Sequence, residues 1–145
     1  INSALACSQL KKLELFVKKR ALIANKYIDY FKDSKIFKVR NANKSIYSSW
    51  HLFILNINFK YLRTNKNKFL KYLLKKNIIG QQHYIPIYNF KFYKKIKKKN
   101  FPNSKIYHEN SVSLPIYYEL TDRQIKYIFE KIRNFVQDHC KKKND

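Results

Sequence analysis

Apolar residues recur every three or four positions in the opening segment of the chain, which predicts one long amphipathic helix. This helix is predicted to run from Leu5 to about Phe31, with Asp33 and Ser34 closing it and a polar stretch following through Lys44. Its apolar positions are Leu10, Leu13, Phe16, Val17, Ala21, Ala24, Tyr27, Ile28 and Phe31. Because such a face must be covered, we expect the helix to link this domain to a neighbouring surface.

A second amphipathic pattern near the end of the chain has the clearest helix start in the sequence. Thr121 and Gln124 have the spacing of a capping box, and Leu120 and Ile125 are placed to form a hydrophobic staple. The helical period continues through Ile125, Ile128, Phe129, Ile132, Phe135 and Val136. The sequence therefore predicts a closing helix that begins after Thr121.

Between these helices the apolar pattern changes to that of a strand and then returns to that of a helix. Aromatic and β-branched residues from Tyr47 to Phe59 predict a strand buried on much of both faces. Thr64 or Asn65 can cap the next helix, and Asn77 stands where a left-handed residue ends it. The predicted inward stripe of that helix is Phe69, Leu70, Leu73 and Leu74.

The remaining elements are predicted to be short. Gly80 marks a turn into a strand at 81–84, which Pro86 ends because it cannot donate to a ladder. A helix is predicted to begin at Phe101-Pro102, and 112–117 is predicted to be another short strand or an extended edge segment. The order helix, strand, helix, strand, helix, strand, helix predicts a mixed α/β fold, a single domain over residues 1–145 with a small sheet flanked by helices.

The charge balance brings nucleic acid into consideration. Among the 145 residues, 32 Lys plus Arg stand against 9 Asp plus Glu, which gives a net charge of +23. However, the chain is rich in the residues that A- and T-rich codons encode, and only 5 of the basic residues are the arginines that phosphate clamps favour. The lysine run at 94–99 is expected to be a solvated loop or a frayed helix end. A small basic nucleic-acid-binding protein is therefore the alternative hypothesis, and a partner-binding adaptor that uses the first helix is a third.

Several kinds of site are excluded by composition. A chain with one glycine cannot form a P-loop or a Rossmann fingerprint, and its nine carboxylates show no pairing for acid–base work. No apolar run is long enough to span a membrane. Cys7 and Cys140 have no ligand spacing around them, so we expect no metal, no disulfide and reduced thiols in a cytoplasmic protein. His51, His108 and His139 are each expected to be structural or solvated.

His83 differs from the other histidines because of its surroundings. It lies in the segment 81–88, where a strand ends abruptly at Pro86 and polar and aromatic side chains meet in one loop. An imidazole, a phenol and exposed backbone could contact a polar, ring-shaped ligand. The alternative is a plain exit from the strand, with tyrosine packing.

A succession of short segments, in this order, resembles the C-terminal part of the DegT/DnrJ/EryC1/StrS family of pyridoxal-phosphate (PLP) aminotransferases, which act on nucleotide-linked sugars. The segments are Ala4–Leu13, Lys19-Arg20, Ile23–Tyr27, Ser48–Phe53, His83–Ile87, Phe101-Pro102, Ser113–Pro115 and Leu120-Thr121. The resemblance covers nearly the whole chain. It implies the small C-terminal domain of a fold-type I PLP-dependent transferase, with the large cofactor-binding domain before residue 1.

The resemblance also implies how the work is divided. The cofactor lysine and most phosphate contacts belong to the large domain, and none of the 27 lysines here matches the cofactor motif. No catalytic or cofactor-binding residue is therefore expected in this chain, and the chain alone is expected to be inactive. The resemblance implies that His83, Tyr84, Ile85 and Pro86 contact the substrate. In relatives this segment often reaches the active site across a homodimer. Asn77, Ile79 and Gln82 depart from the family pattern and leave the loop shape open.

Within the family, two stretches are most similar to the aminotransferases of pseudaminic acid biosynthesis. They are Ser8–Lys19 and His83–Ile87. This similarity implies transfer of an amino group, with glutamate as the expected donor, to C4 of a UDP-linked 4-keto-6-deoxy sugar. The implied partners are a nucleotide-sugar substrate, the large domain of the same chain and a second subunit, with no membrane involved.

Overall fold

The computed structural model describes residues 1–39, 46–93, 95 and 101–141. Its helices are α1 (Asn2–Leu10), α2 (Leu13–Phe31), α3 (Lys66–Lys75), α4 (Pro102–Asn110) and α5 (Asp122–Lys141), and its strands are β1 (Phe37–Val39), β2 (Phe53–Ile57) and β3 (Ser111–Leu114). Two short 3-10 helices, Ile87–Asn89 and Lys91–Tyr93, lie before α4. The lysine run at 94–99, predicted to be a loop or a frayed helix end, lies outside the described residues, apart from Lys95.

The predicted long first helix is wrong in one respect, because it is two helices. The amide of Lys12 bonds to the carbonyl of Gln9, three residues back, and α2 begins at Leu13. α1 has no buried residue, whereas α2 buries Val17, Ile23, Ala24, Tyr27 and Phe31. The break lies just before burial begins, so only the second part of the apolar face packs on this domain.

The three strands form an antiparallel sheet with β2 in the centre. Phe37 of β1 pairs with Ile57, and Phe53 pairs with Leu114 of β3. Phe53, Leu55 and Ile57 are buried, and the two residues between them are half-buried. The prediction that β2 is largely covered on both faces is confirmed.

The predicted strand boundaries need correction. The strand predicted at 47–59 is only five residues long, because β1 and β3 offer no longer partners. The strand predicted at 81–84 is reduced to a single bridge between Gln81 and Ser113. The strand predicted at 112–117 is β3, which ends before Pro115. β1 itself was not predicted, since it falls in the stretch interpreted as polar.

The capping of α3 follows the second of the two predicted residues. Asn65 is the N-cap, and its side-chain oxygen accepts the amide of Lys68 at 2.9 Å. The predicted stripe is only partly buried, since Phe69 and Leu73 are covered while Leu74 is 63% exposed. The helical period predicted Leu74 to face the core, and this prediction is wrong.

In the turn after α3, Asn77 adopts a left-handed backbone conformation, and Gly80 packs closely against the helix. Asn77 has φ 57°, which confirms the predicted left-handed residue. Gly80 has no positive φ, but a Cβ there would lie 2.9 Å from Leu70 Cδ2 and 3.2 Å from Leu73 Cδ1. A larger residue at position 80 would therefore push the ends of these two leucine side chains aside, so close packing against α3 favours the glycine.

The start of α5 confirms the predicted capping box. The amide of Thr121 donates to Gln124 Oε1 at 2.9 Å, and the amide of Gln124 donates to Thr121 Oγ1 at 3.3 Å. Leu120 and Ile125 are buried at 2% exposure each, as a hydrophobic staple requires. The closing helix is thus fixed both by its own cap and by the core beneath it.

Aromatic rings dominate the core between α2, α5 and the sheet. The ring of Tyr27 lies 4.7 Å from that of Phe53 and 5.6 Å from that of Phe129. Its hydroxyl donates to the carbonyl of Pro115 at 2.8 Å, and burial raises the pKa of this phenol. This bond ties the centre of α2 to the segment that follows β3.

Candidate functional site

A cleft of about 480 Å³ opens where the turn after α3, the end of β3 and the first turns of α5 meet. Its walls combine apolar side chains with neutral polar ones. It is lined by His51, Leu52, Asn77, Ile78, Ile79, Gln81, His83, Ser113, Leu114, Pro115, Ile116, Tyr117, Leu120, Gln124, Tyr127 and Ile128. The size and the lining are those of a small-molecule site.

His83 is fixed at the wall of this cleft. Its Nδ1 lies 2.8 Å from Oγ of Ser113, which is 5% exposed. Next to it, Gln81 and Ser113 exchange two backbone hydrogen bonds, of 3.0 and 2.8 Å. Nε2 of His83 bonds to none of the described residues, so it is the ring nitrogen available to a ligand.

The other three predicted contact residues do not line the cleft. Tyr84 is 77% exposed, Ile85 is 52% exposed, and Pro86 is half-buried on the same turn. Nδ1 of His108 on α4 lies 3.3 Å from the carbonyl oxygen of Tyr84. The structure therefore divides the predicted set into one cleft residue, His83, and a projecting turn.

Several polar groups of the cleft were missed by the sequence analysis. His51 was assigned to a strand, but it is exposed before β2 and lines the cleft. Gln124 was given only a capping role, and Ser113 and Tyr127 had no role. Only the spacing of Thr121 and Gln124 gave a sequence signal near this cleft. The other polar groups are distant in sequence and are brought together by the turn after α3 and by the sheet.

The electrostatic character of the cleft is neutral. Among the described residues that line it there is no lysine, arginine, aspartate or glutamate, although the whole chain carries +23. The described part of the chain also contains no group of three or more His, Cys, Asp or Glu residues that could hold a metal. The cleft therefore suits an uncharged polar part of a ligand, which neutral donors and acceptors can bind.

Near the turn, two side chains have shifted pKa values. Burial lowers the pKa of the Lys66 ammonium, which donates a hydrogen bond to the carbonyl of His108. Burial, followed by the charge of Lys66, lowers the pKa of His108. The lowered pKa of His108 favours its neutral imidazole.

Two general expectations concern membranes and thiols. None of the helices in the described ranges is both long and apolar enough to cross a bilayer. Cys7 and Cys140 are free cysteines, the first exposed and the second half-buried.

The family model described as the DegT/DnrJ/EryC1/StrS aminotransferase family matches residues 1–133 of the chain. The chain belongs to this family. Its aminotransferases are PLP-dependent, and structures in a PLP form occur among its structural neighbours. The resemblance inferred from the ordered segments is confirmed.

Individual relatives match most of this chain. An uncharacterized protein of Methanocaldococcus jannaschii is 33% identical, over 96% of this chain and 37% of its own length. The UDP-4-amino-4,6-dideoxy-N-acetyl-beta-L-altrosamine transaminase of Helicobacter pylori is 30% identical, over 91% of this chain and 35% of its own. The solved structure of Helicobacter pylori PseC, an aminotransferase involved in pseudaminic acid biosynthesis, superposes with a TM-score of 0.83 at 28% identity, covering 94% of this chain and 37% of that one.

These comparisons confirm the predicted fold class and define its extent. Mixed helices around a small antiparallel sheet recur in aminotransferase structures. The chain spans a little over one third of the length of the relatives that it matches.

The cleft does not by itself fit PLP. That cofactor needs a lysine amine for its Schiff base and cationic or amide partners for its phosphate. No lysine or arginine is among the described lining residues, and the buried Lys66 lies outside the lining with its ammonium bonded to His108. We therefore assign no step of cofactor chemistry to the described residues.

Proposed function

We propose that this chain is the small C-terminal domain of a PLP-dependent nucleotide-sugar aminotransferase, and that the large cofactor-binding domain precedes residue 1. The observation that carries the proposal is the similarity to PseC over 94% of the chain at a TM-score of 0.83. The neutral cleft supports it, because a domain without a lysine at its candidate site is suited to substrate contact. In this proposal the chain alone is inactive.

The proposed reaction transfers an amino group from glutamate to C4 of a UDP-linked 4-keto-6-deoxy sugar, for a surface glycan that contains pseudaminic acid or a related sugar. PLP, held by the proposed large domain, supplies the electron sink. The substrate specificity rests on the relatives that are named for a UDP-amino-sugar product and for pseudaminic acid biosynthesis. The complete enzyme is proposed to act as a cytoplasmic homodimer.

The residues of this chain are proposed to hold the sugar. His83 is oriented by Ser113 through Nδ1, which leaves Nε2 to bond a hydroxyl or carbonyl oxygen of the ligand. Gln124 and Tyr127 are distant from His83 in sequence but line the same cleft. They offer an amide and a phenol to the ligand. A neutral lining is suited to a sugar ring, while a diphosphate requires cations from elsewhere.

Kinetics of the complete protein, produced from the reading frame extended upstream of Ile1, tests this function. Formation of the amino sugar from glutamate and the UDP-4-keto-6-deoxy sugar is followed by mass spectrometry. His83→Ala should raise KM for the sugar nucleotide by about tenfold, as expected when a buried hydrogen-bond pair is broken at a binding site.

His139→Ala is the matched control for this experiment. His139 is also half-buried, and its Nδ1 lies 2.8 Å from a backbone oxygen, but that partner is Phe135 within α5. KM should therefore stay at the wild-type value. A wild-type protein that forms no amino sugar would refute the function, and equal effects of the two variants would refute the role of His83.

The nucleic-acid alternative remains a hypothesis based on charge. A salt titration of nucleic-acid binding separates the two functions, since such binding should weaken by about 0.9 log units per neutralised phosphate for each tenfold rise in salt. The aminotransferase proposal predicts only weak, nonspecific retention.

A further inference from the structure

Lys66 is placed where a charged side chain is costly. It is 7% exposed, the only charged residue among the described ones that is buried to this degree. It is also the first residue of α3, where a positive charge opposes the helix dipole. A lysine in such a position must be held by a specific partner.

That partner is the last turn of α4. The ammonium of Lys66 donates to the backbone carbonyl of His108. The carbonyl end of a helix carries partial negative charge, so α4 compensates part of the cost of burying Lys66. No described carboxylate lies within ion-pair distance of Lys66, and the nearby Glu109 pairs with Lys105 at 3.9 Å. The bond therefore fixes the end of α4 against the start of α3.

His108 extends this connection to the turn. Its half-buried ring places Nδ1 3.3 Å from the carbonyl oxygen of Tyr84. Because the carbonyl can only accept, Nδ1 must carry the proton. Lys66 and the backbone of Tyr84 are thus connected through His108.

The other side of the turn is held as well. His83 bonds to Ser113 on β3 at 2.8 Å, and Ser111 donates to the carbonyl of Tyr107 on α4. The main chain of Tyr84 is therefore held between α4 and β3, although the residue is 77% exposed. A fixed backbone with exposed side chains is what a preorganised contact surface requires.

We propose that Lys66 and His108 form a brace that holds the turn at Tyr84 in place for substrate contact. Both are positioning residues, since they act through the backbone of the turn. The proposal rests on the proposed function for its substrate, but the brace itself is defined by the contacts of α3, α4 and the turn.

Two variants remove the brace, and one is designed to restore it. His108→Ala removes the Nδ1 donor, whereas His108→Asn supplies an amide N–H near the same position. Lys66→Met keeps most of the side-chain length without the charge. His139→Ala is again the control, because it removes an imidazole bonded to a backbone oxygen far along α5.

Hydrogen exchange and steady-state kinetics are measured on the complete protein. In His108→Ala and Lys66→Met we expect the backbone amides within residues 84–90, Pro86 excepted, to exchange about tenfold faster. KM for the sugar nucleotide should rise about 3- to 10-fold, with kcat within about twofold, as for the loss of one hydrogen bond in binding. His108→Asn and His139→Ala should behave as wild type.

Unchanged exchange at 84–90 in His108→Ala would overturn the proposal, and so would faster exchange without any rise in KM in an active enzyme. If the wild-type protein transfers no amino group, the proposed function fails and exchange alone decides the brace. In that case acceleration in His108→Ala with recovery in His108→Asn supports the brace, and no acceleration overturns it. The two His108 variants decide the matter even if Lys66→Met does not fold.

Discussion

The first and last helices of the chain contrast sharply in how they are held. α1 has no side-chain cap and no buried residue, and all of its residues are exposed. α5 begins with a reciprocal capping box and buries an apolar stripe against the core. The same three- and four-residue periodicity predicted both helices. The difference shows that periodicity identifies an apolar face but not the surface that covers it, and we expect the proposed large domain to cover α1.

The largest expected effect separates the two helices by stability. Ile132 of α5 is completely buried, so Ile132→Ala should lower the free energy of unfolding by about 2–5 kcal/mol. Leu5 of α1 is 59% exposed, and Leu5→Ala should change the free energy of unfolding by less than about 0.5 kcal/mol. Urea denaturation of the 145-residue chain, followed by circular dichroism, measures both. A similar loss in both variants would contradict the contrast.

The two cysteines provide a second test, because each helix contains one. Cys7 lies on α1 and is exposed, while Cys140 near the end of α5 is half-buried and packs against the core. Under native conditions Cys7 should react with a thiol reagent about tenfold faster, since Cys140 is partly covered by the core. Mass spectrometry of the labelled peptides gives the two rates. Equal rates would mean that α5 is no better protected than α1.

The smallest effect concerns the caps. Thr121→Ala removes the oxygen that accepts the Gln124 amide and should cost about 1 kcal/mol of unfolding free energy. Ser3→Ala in the first turn of α1 removes no side-chain cap bond and should have almost no effect. Thermal denaturation of both variants beside wild type measures this difference. A larger loss for Ser3→Ala would reverse the comparison.

Elements with strong local chemistry could be predicted from the sequence. The capping box at Thr121, the cap at Asn65 and the left-handed Asn77 each depend on interactions within a few residues. The break before Leu13 could not be predicted, because the apolar period continues across it. The strand at Phe37–Val39 could not be predicted either, because it depends on a distant partner. Pairing with Ile57, twenty residues from Phe37, is what makes that segment a strand.

In the candidate site, too, local features could be predicted from the sequence and contacts between distant residues could not. His83 could be selected from its place at the end of a predicted strand, and it lines the cleft. Its contact with Ser113 spans 30 residues, and the contact of Lys66 with His108 spans 42. No local pattern contains such contacts, so the sequence indicated one residue of the cleft and neither residue of the brace.

The central claim is tested most directly by assaying amino transfer in the complete protein and in the isolated 145-residue chain, side by side, with PLP, glutamate and the UDP-4-keto-6-deoxy sugar. The account predicts that the complete protein forms the amino sugar and that the isolated chain forms none. Turnover by the isolated chain, or its absence from the complete protein, would contradict the account.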